Sequence, residues 1–297
     1  MISKRALKSL SRRIRHGERR ETDIKLIEEY RDSKLLQLFG LLIDINDYLS
    51  NQGIAFLIAG RPKRTKSIIR KLERGDVKDL ASIVDVMGIR VIVDSISAQD
   101  AVISSLKKKY DVPDEKLKDY RLRGEGYRAV HLYVRWGDDH IETQVRTLPQ
   151  QLWANESEAL GERAKEGSGT SDQKAYLRDL TLSCKTIDDH PEVELEEIGG
   201  IGGIRGPIKG RLPRLRYCFH NAAGLRMVIA IFLVIYDRWT NELLLEFRYS
   251  MAEKSDALRD FCEKTRFLKE DRFDVLFLNA MSLDSLKVTH PIYFPIL

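Results

Sequence analysis

The densest set of residues able to do chemistry lies in KDYRLRGEGYRAVHLYVRWGDDHIETQVRT, residues 118–147. Two runs, 128–134 and 141–147, read as strands joined by Trp136-Gly137-Asp138-Asp139, a hairpin signal. Strand side chains alternate between two faces. Ile141, Thr143 and Val145 therefore share one face, and Glu142, Gln144 and Arg146 share the other. On the first strand, Val130, Leu132 and Val134 form the apolar set, opposite Ala129, His131 and Tyr133. A carboxylate, an amide and a guanidinium in a row make an unusual face for plain packing. On this pattern alone, a solvated sheet face with a surface ion pair has equal standing.

Two further groups could work with that face. GRPKRTKSIIRKLERG, residues 60–75, opens with a turn at Gly60-Arg61-Pro62 and continues as a helix. Lys63, Ser67, Arg70 or Lys71, and Arg74 fall on one face, while Ile68, Ile69 and Leu72 form the buried stripe. Cations and a hydroxyl near a helix N-terminus suit a polyphosphate, and an ordinary basic surface helix has the same pattern. Asp85 stands at the entrance of the strand that carries Ile89, Val91 and Val93. An acid at a strand mouth can hold Mg²⁺ through one carboxylate, although a turn or cap is the commoner use.

The elements that must position these groups follow from periodicity. Residues 22–48 repeat apolar residues at helical spacing, as two packed helices or one bent helix. Residues 54–59 read as a short strand, 100–109 as an amphipathic helix, and LPQQLWANESEALGERAKEG after Thr147 as a helix. On that last helix Trp153, Ala154, Leu160 and Ala164 face inward. Gln151, Asn155 and Glu158 form a polar face, either helix surface or a wall over the hairpin. Together these elements make a mixed sheet flanked by helices, an α+β fold. The basic stretch before residue 22 reads as a solvated helix or arm, or as a docking surface for a polyanion such as nucleic acid. No aromatic residue interleaves its charges, so base stacking there is not supported.

Composition bounds the class. The 297 residues are 43% hydrophobic, enough for a sizeable core, and a net charge of +5 is a mild basic bias that suits phosphorylated ligands. Cys184, Cys218 and Cys262 lie far apart without CxxC spacing, which argues against a disulfide framework or zinc site and for a reducing compartment. The charged N-terminus is unlike a signal peptide, and the most apolar run, 227–236, is far too short to span a bilayer. The expectation is a cytoplasmic protein with no membrane partner.

GRPKRTKSIIRKL, DVMGIRVIV, KDY…GEGYRAVHLYV and IETQVRT followed by LWANESEALG resemble, in order, the synthetase domain of the RelA/SpoT family, the alarmone pyrophosphokinases. The resemblance runs from about residue 25 to 165 and implies a nucleotidyltransferase-like mixed sheet. It also implies an enzyme that moves the β,γ-pyrophosphate of ATP to the 3′-hydroxyl of GDP or GTP, with Mg²⁺. By the same resemblance Arg61, Lys63, Ser67 and Lys71 bind ATP phosphates, and Arg90 is the next strand's arginine. Asp85 and Glu142 are the metal-holding, catalytic acids. Tyr127 stacks on the acceptor base, His131 closes that motif, and Gln144 and Arg146 complete the acceptor strand.

Three departures bear on the transfer. The segment between Tyr120 and Tyr127 is shorter than is usual for the family and lacks its Pro-Lys pair, leaving Arg121 and Arg123. Gln151 stands where near relatives carry a histidine, and no His-Asp hydrolase segment precedes the domain. One alternative is therefore a toxin-type member that pyrophosphorylates tRNA 3′ ends or adenosine nucleotides. A further alternative is an inactive nucleotide- or RNA-sensing module.

The expected organisation is a basic helical segment (1–55) packed on the core, the synthetase domain (56–165), a helix with a Gly/Pro-rich linker (166–226) and a small α+β domain (227–297). The last is a β-β-α-β unit that regulates, oligomerises or simply appends. Its tail, SLDSLKVTHPIYF, resembles C-terminal extensions of larger single-synthetase members.

Overall fold

The computed structural model describes residues 2–123, 126–161, 168–193, 195, 198, 206–223, 229–268 and 272–294. Ala164, part of the Gly/Pro-rich stretch and the first residues of the strand expected from Met227 lie outside these. The expected α+β architecture is present: an eight-stranded mixed sheet with helices on both faces. Its strands are β1 (Leu57–Pro62), β2 (Met87–Val93), β3 (Leu117–Asp119), β4 (Val130–Trp136), β5 (Asp139–Thr147), β6 (Ala230–Asp237), β7 (Glu242–Tyr249) and β8 (Phe273–Ala280), in the order β3-β4-β5-β2-β1-β8-β6-β7. β2 and β5 run parallel, and every other neighbouring pair is antiparallel.

Alternation along the strands assigns one face to each core. Ile58, Ile89, Val91, Ile141 and Val145 pack with the N-terminal helices α1 (Lys4–Arg15), α2 (Glu21–Asp32) and α3 (Leu35–Ser50). α1 buries Leu7, Leu10 and Ile14, so the basic stretch is a packed helix and not a solvated arm. Some of its cations are engaged with the protein itself: Arg13 pairs with Asp23, Arg15 donates to the carbonyls of Val77 and Lys78, and Arg19 pairs with Glu73. The residues 22–48 form two helices, with the break at Ser33-Lys34.

The expected turn at Gly60-Arg61-Pro62 is instead the end of β1, paired with β2 from Leu57↔Ile92 to Pro62↔Met87. Proline is tolerated there because it ends the strand, beyond the residues that pair with β8. Gly60 is needed for a different reason. A Cβ at this position would come within 2.6 Å of Leu42 Cδ1 on α3, so glycine lets that helix lie close on the sheet.

The opposite face carries Leu57 and Ile92 against α6 (Leu148–Ala159), α7 (Ser171–Asp189) and α8 (Leu212–Ala222). α4 (Thr65–Glu73) and α5 (Ile96–Lys109) precede these in the chain. The segment 166–226, expected as a helix with a Gly/Pro-rich linker, holds the helix α7 and a second helix, α8, that the expectation lacked. Both bury apolar stripes, Leu177, Leu180, Cys184 and Ile187 in α7 and Leu212, Leu215 and Phe219 in α8. None of the three cysteines forms a disulfide.

The β-β-α-β unit is also present, as β6, β7, α9 (Lys254–Phe267) and β8, followed by α10 (Leu283–Thr289). It is not detached from the rest of the sheet. β8 pairs with β1 through Ala59↔Ala280 and Gly60↔Asn279, and α10 packs beside β1.

Candidate active site

The polar face of the hairpin is built as the alternation requires. β4 and β5 pair with His131↔Gln144 and Tyr133↔Glu142, and β2 meets β5 with Gly88↔Glu142 and Arg90↔Gln144. Ala59, Arg61, Arg90, Glu142, Gln144 and Arg146 thus project from adjacent strands onto the face below α6 and α10. A cavity of about 400 Å³ lies over them, closed by Tyr127, Trp153, Glu158 and His290. Lys63, Asp85 and His131 also line it.

Asp85 is held by two lysines, with Lys63 Nζ 2.6 Å from Oδ2 and Lys71 Nζ 3.0 Å from Oδ1. Burial opposes its ionisation, but the two ammonium groups outweigh that and set the carboxyl below its ordinary range. Glu142 is 8% exposed. Burial and nearby Asp85 push its pKa up, whereas His131 and Gln144 push it down, and the net shift is downward. Both acids are carboxylates at neutral pH.

Hydrogen-bond chemistry fixes the direction of a chain across this face. Arg146 Nη2 can only donate, and it donates to Tyr127 Oη and to Gln144 Oε1, each at 2.6 Å. The Tyr127 proton is then left for His131 Nε2, 2.8 Å away. That puts the imidazole hydrogen on Nδ1, which donates to Glu142 Oε1 at 2.9 Å. Gln144 Nε2 donates to Glu142 Oε2 at 2.7 Å. One arginine therefore orients two residues that both end on the same carboxylate.

The walls of the cavity hold residues that are less conspicuous in the sequence. Gln151 is fully buried and accepts from Arg146 Nη1 at 2.8 Å, so the polar face of α6 is a wall over the hairpin. Arg90 Nη1 donates to the Thr289 carbonyl at 2.7 Å. Burial and neighbouring Arg146 lower Arg90 to about 10, which leaves it cationic at neutral pH. His290, 5% exposed, has Nδ1 2.9 Å from Thr289 Oγ1 and no hydrogen-bond partner for Nε2 among the described residues. Burial, with Arg90 and Arg61 nearby, holds it neutral, well below the usual histidine range. Nothing local in THP marks it as a cavity residue; only the pairing of β8 with β1 brings it there.

The candidate ATP residues do not all converge. Arg61, Lys63 and Arg90 line the cavity, and Lys71 reaches its edge through Asp85. Ser67 lies apart, in a second hollow shared with Arg64 and Arg70. Tyr127 is enclosed by rings rather than open: Tyr120, His131 and Trp153 lie with centroids at 5.7, 5.6 and 5.9 Å, and the Arg146 guanidinium sits 5.1 Å from its centroid.

The model for the region found in RelA / SpoT proteins matches residues 60–164, which span β1 to α6 and hold every candidate residue but His290. Residues 60–164 belong to the RelA/SpoT family. An uncharacterised protein of Mycobacterium tuberculosis is 30% identical over 37% of this chain and 41% of its own length. A GTP pyrophosphokinase of Haemophilus influenzae is 26% identical over 62% of this chain and 26% of its own. The chain thus spans less than half the length of these curated relatives. Among solved structures, a GTP pyrophosphokinase family protein from Streptococcus pneumoniae is 23% identical, covering 56% of this chain and 90% of that one, with a TM-score of 0.49. The small alarmone synthetase 1 from Bacillus subtilis bound to its product pppGpp is 21% identical over 57% and 95%, with a TM-score of 0.48.

Proposed function

We propose that this chain is an ATP-dependent pyrophosphokinase that transfers the β,γ-pyrophosphate of ATP to the 3′-hydroxyl of GDP or GTP. The observation that carries this reading is the pair of ionised acids, Asp85 and Glu142, lining one cavity with Arg61, Lys63, Arg90 and Arg146. Transfer of a phosphoryl-type group demands positioning and charge stabilisation more than covalent help, and cations converging on one cleft supply both. The 3′-oxygen bonds to the β-phosphorus, the bond from that phosphorus to the α,β-bridging oxygen breaks, and AMP leaves. The hydroxyl proton passes to Glu142, whose carboxylate is kept oriented by His131 and Gln144.

Two carboxylates in one cavity are a donor set that fits Mg²⁺, which takes one or two protein carboxylates and fills its other positions with phosphate and water. Asp85 and Glu142 would hold it, and it would neutralise charge on the phosphates. Lys63 and Lys71 balance Asp85 before nucleotide enters and are placed to turn toward its phosphates.

A guanosine acceptor is favoured over tRNA by the similarity to GTP pyrophosphokinases, and part of the N-terminal charge is engaged with the protein itself. Arg13, Arg15 and Arg19 all contact the protein itself and offer less charge to a nucleic-acid backbone. The test is incubation with γ-labelled ATP and GDP, GTP, ATP or bulk tRNA. Label on GDP or GTP, with AMP released, is expected. Label on tRNA or ATP alone would move the protein to the toxin-type reading, and no transfer to any acceptor would leave only a sensing module.

A further inference from the structure

A second hollow, of about 90 Å³, surrounds the start of α4. It is lined by the cations Arg31, Arg64, Lys66, Arg70 and Arg238, with Asp274 as the one carboxylate among the described residues there. Asp274 lies 3.4 Å from Arg64 Nη1 and 3.8 Å from Arg238 Nε, so these two arginines share one acid.

Donors without acceptors collect at the same place. Arg31 is 5% exposed. Its Nε donates to Asp32 and its Nη1 to Thr65 Oγ1, while Nη2 has no acceptor among the described residues. Arg64 Nε and Arg238 Nε and Nη2 are likewise buried without a hydrogen-bond acceptor. A buried guanidinium N–H left unpaired is costly, and three such arginines on one hollow point to a missing anionic acceptor.

We propose that this hollow binds an oxyanion of the phosphate class, free or as the terminal group of a phosphorylated molecule, separately from the main cavity. The size admits about one phosphate group, and its oxygens accept from several arginines at once. The ligands come from α2, α4, the β6–β7 turn and the start of β8, so a bound anion ties the C-terminal strands to the helix that carries Lys71.

The test is calorimetric titration of the full chain with inorganic phosphate, pyrophosphate or GTP, without ATP, so that it does not depend on turnover. Wild type is compared with Arg238→Gln, with the double variant Lys66→Gln/Arg70→Gln, and with Arg61→Gln as the variant of the main cavity. Lys66 and Arg70 are exposed on α4, so the double variant keeps its fold even where Arg238→Gln does not. Saturable binding that weakens about tenfold in both the Arg238 and the double variant, and holds in Arg61→Gln, is expected. Phosphate binding of this pattern identifies the free ion, and GTP binding of this pattern without phosphate binding identifies a nucleotide's terminal group. Absence of saturable binding by all three probes, or binding that only Arg61→Gln weakens, overturns the proposal.

Discussion

His131 Nδ1 lies 2.9 Å from Glu142 Oε1, and the imidazole's other nitrogen is committed to Tyr127. Glu142 is thus a carboxylate whose position is fixed from outside by residues that do not share its charge. Replacing it by Gln keeps the volume and removes the charge, at the cost of turning one of the two acceptor oxygens into a donor that faces His131 Nδ1 or Gln144 Nε2. Glu142→Gln is expected to lower kcat by about a thousandfold or more while shifting Tm by less than about 5 °C. Labelled-ATP turnover and a thermal melt of the same sample check this. A variant with wild-type turnover would remove Glu142 from the mechanism.

Tyr127 separates two contributions of one side chain. Its ring packs among Tyr120, His131 and Trp153, while its hydroxyl links Arg146 to His131. Tyr127→Phe keeps the ring and breaks the link, so Glu142 loses orientation and kcat is expected to fall about tenfold with little change in acceptor KM. Tyr127→Ala removes both and should raise acceptor KM as well. Steady-state kinetics with GDP as the varied substrate distinguishes the two.

His290 brings a neutral, unpartnered Nε2 to the cavity from beyond the family-matched segment. A hydrogen-bond partner on the nucleotide would fill that position. His290→Ala is expected to raise KM for ATP by about tenfold with kcat nearly unchanged, the signature of lost uniform binding. A fall in kcat alone would assign it to positioning instead.

Asp188 on α7 predicts a pH dependence of stability. It accepts from Thr147 Oγ1 at 2.7 Å and from Gln150 Nε2 at 3.1 Å, but burial raises it from 3.8 to about 6. Below both values the group is protonated in the folded and the unfolded chain and costs nothing. As pH rises, the unfolded chain ionises first, so stability falls until about pH 6 and then levels. The loss is at most about 3 kcal/mol. Asp188→Asn should remove that fall and melt higher than wild type at pH 7. Urea unfolding between pH 4 and 7 measures it.

Much of the site was legible because strand alternation is a local property. The face carrying Glu142, Gln144 and Arg146, and the opposing Val130, Leu132 and Val134, follow from period-two spacing and reappear in the β4–β5 register. Asp85 was visible as an acid at a strand mouth, but its two lysines were not. The pattern on α4 put Ser67, Arg70 and Lys71 on one broad face, and packing divides that face between two hollows. Pro62 reads as a turn residue because the missing N–H counts only if a neighbouring strand needs it. What local spacing could not reveal is non-local: the pairing of β1 with β8, and so the presence of Thr289 and His290 over Arg90.

That pairing also sets an order of assembly. β1 comes early in the chain, and its β8 partner lies more than two hundred residues later, Ala59 with Ala280. During synthesis the β1 edge stays unpaired until the β8 residues have left the ribosome, by which time β2 and the hairpin can already have formed. Contacts of such sequence separation form slowly, and an open strand edge is exposed to wrong partners while it waits. The roof over Arg90 is therefore the last piece to arrive, and a nascent chain stalled before it would display the polar face of the sheet without its cover.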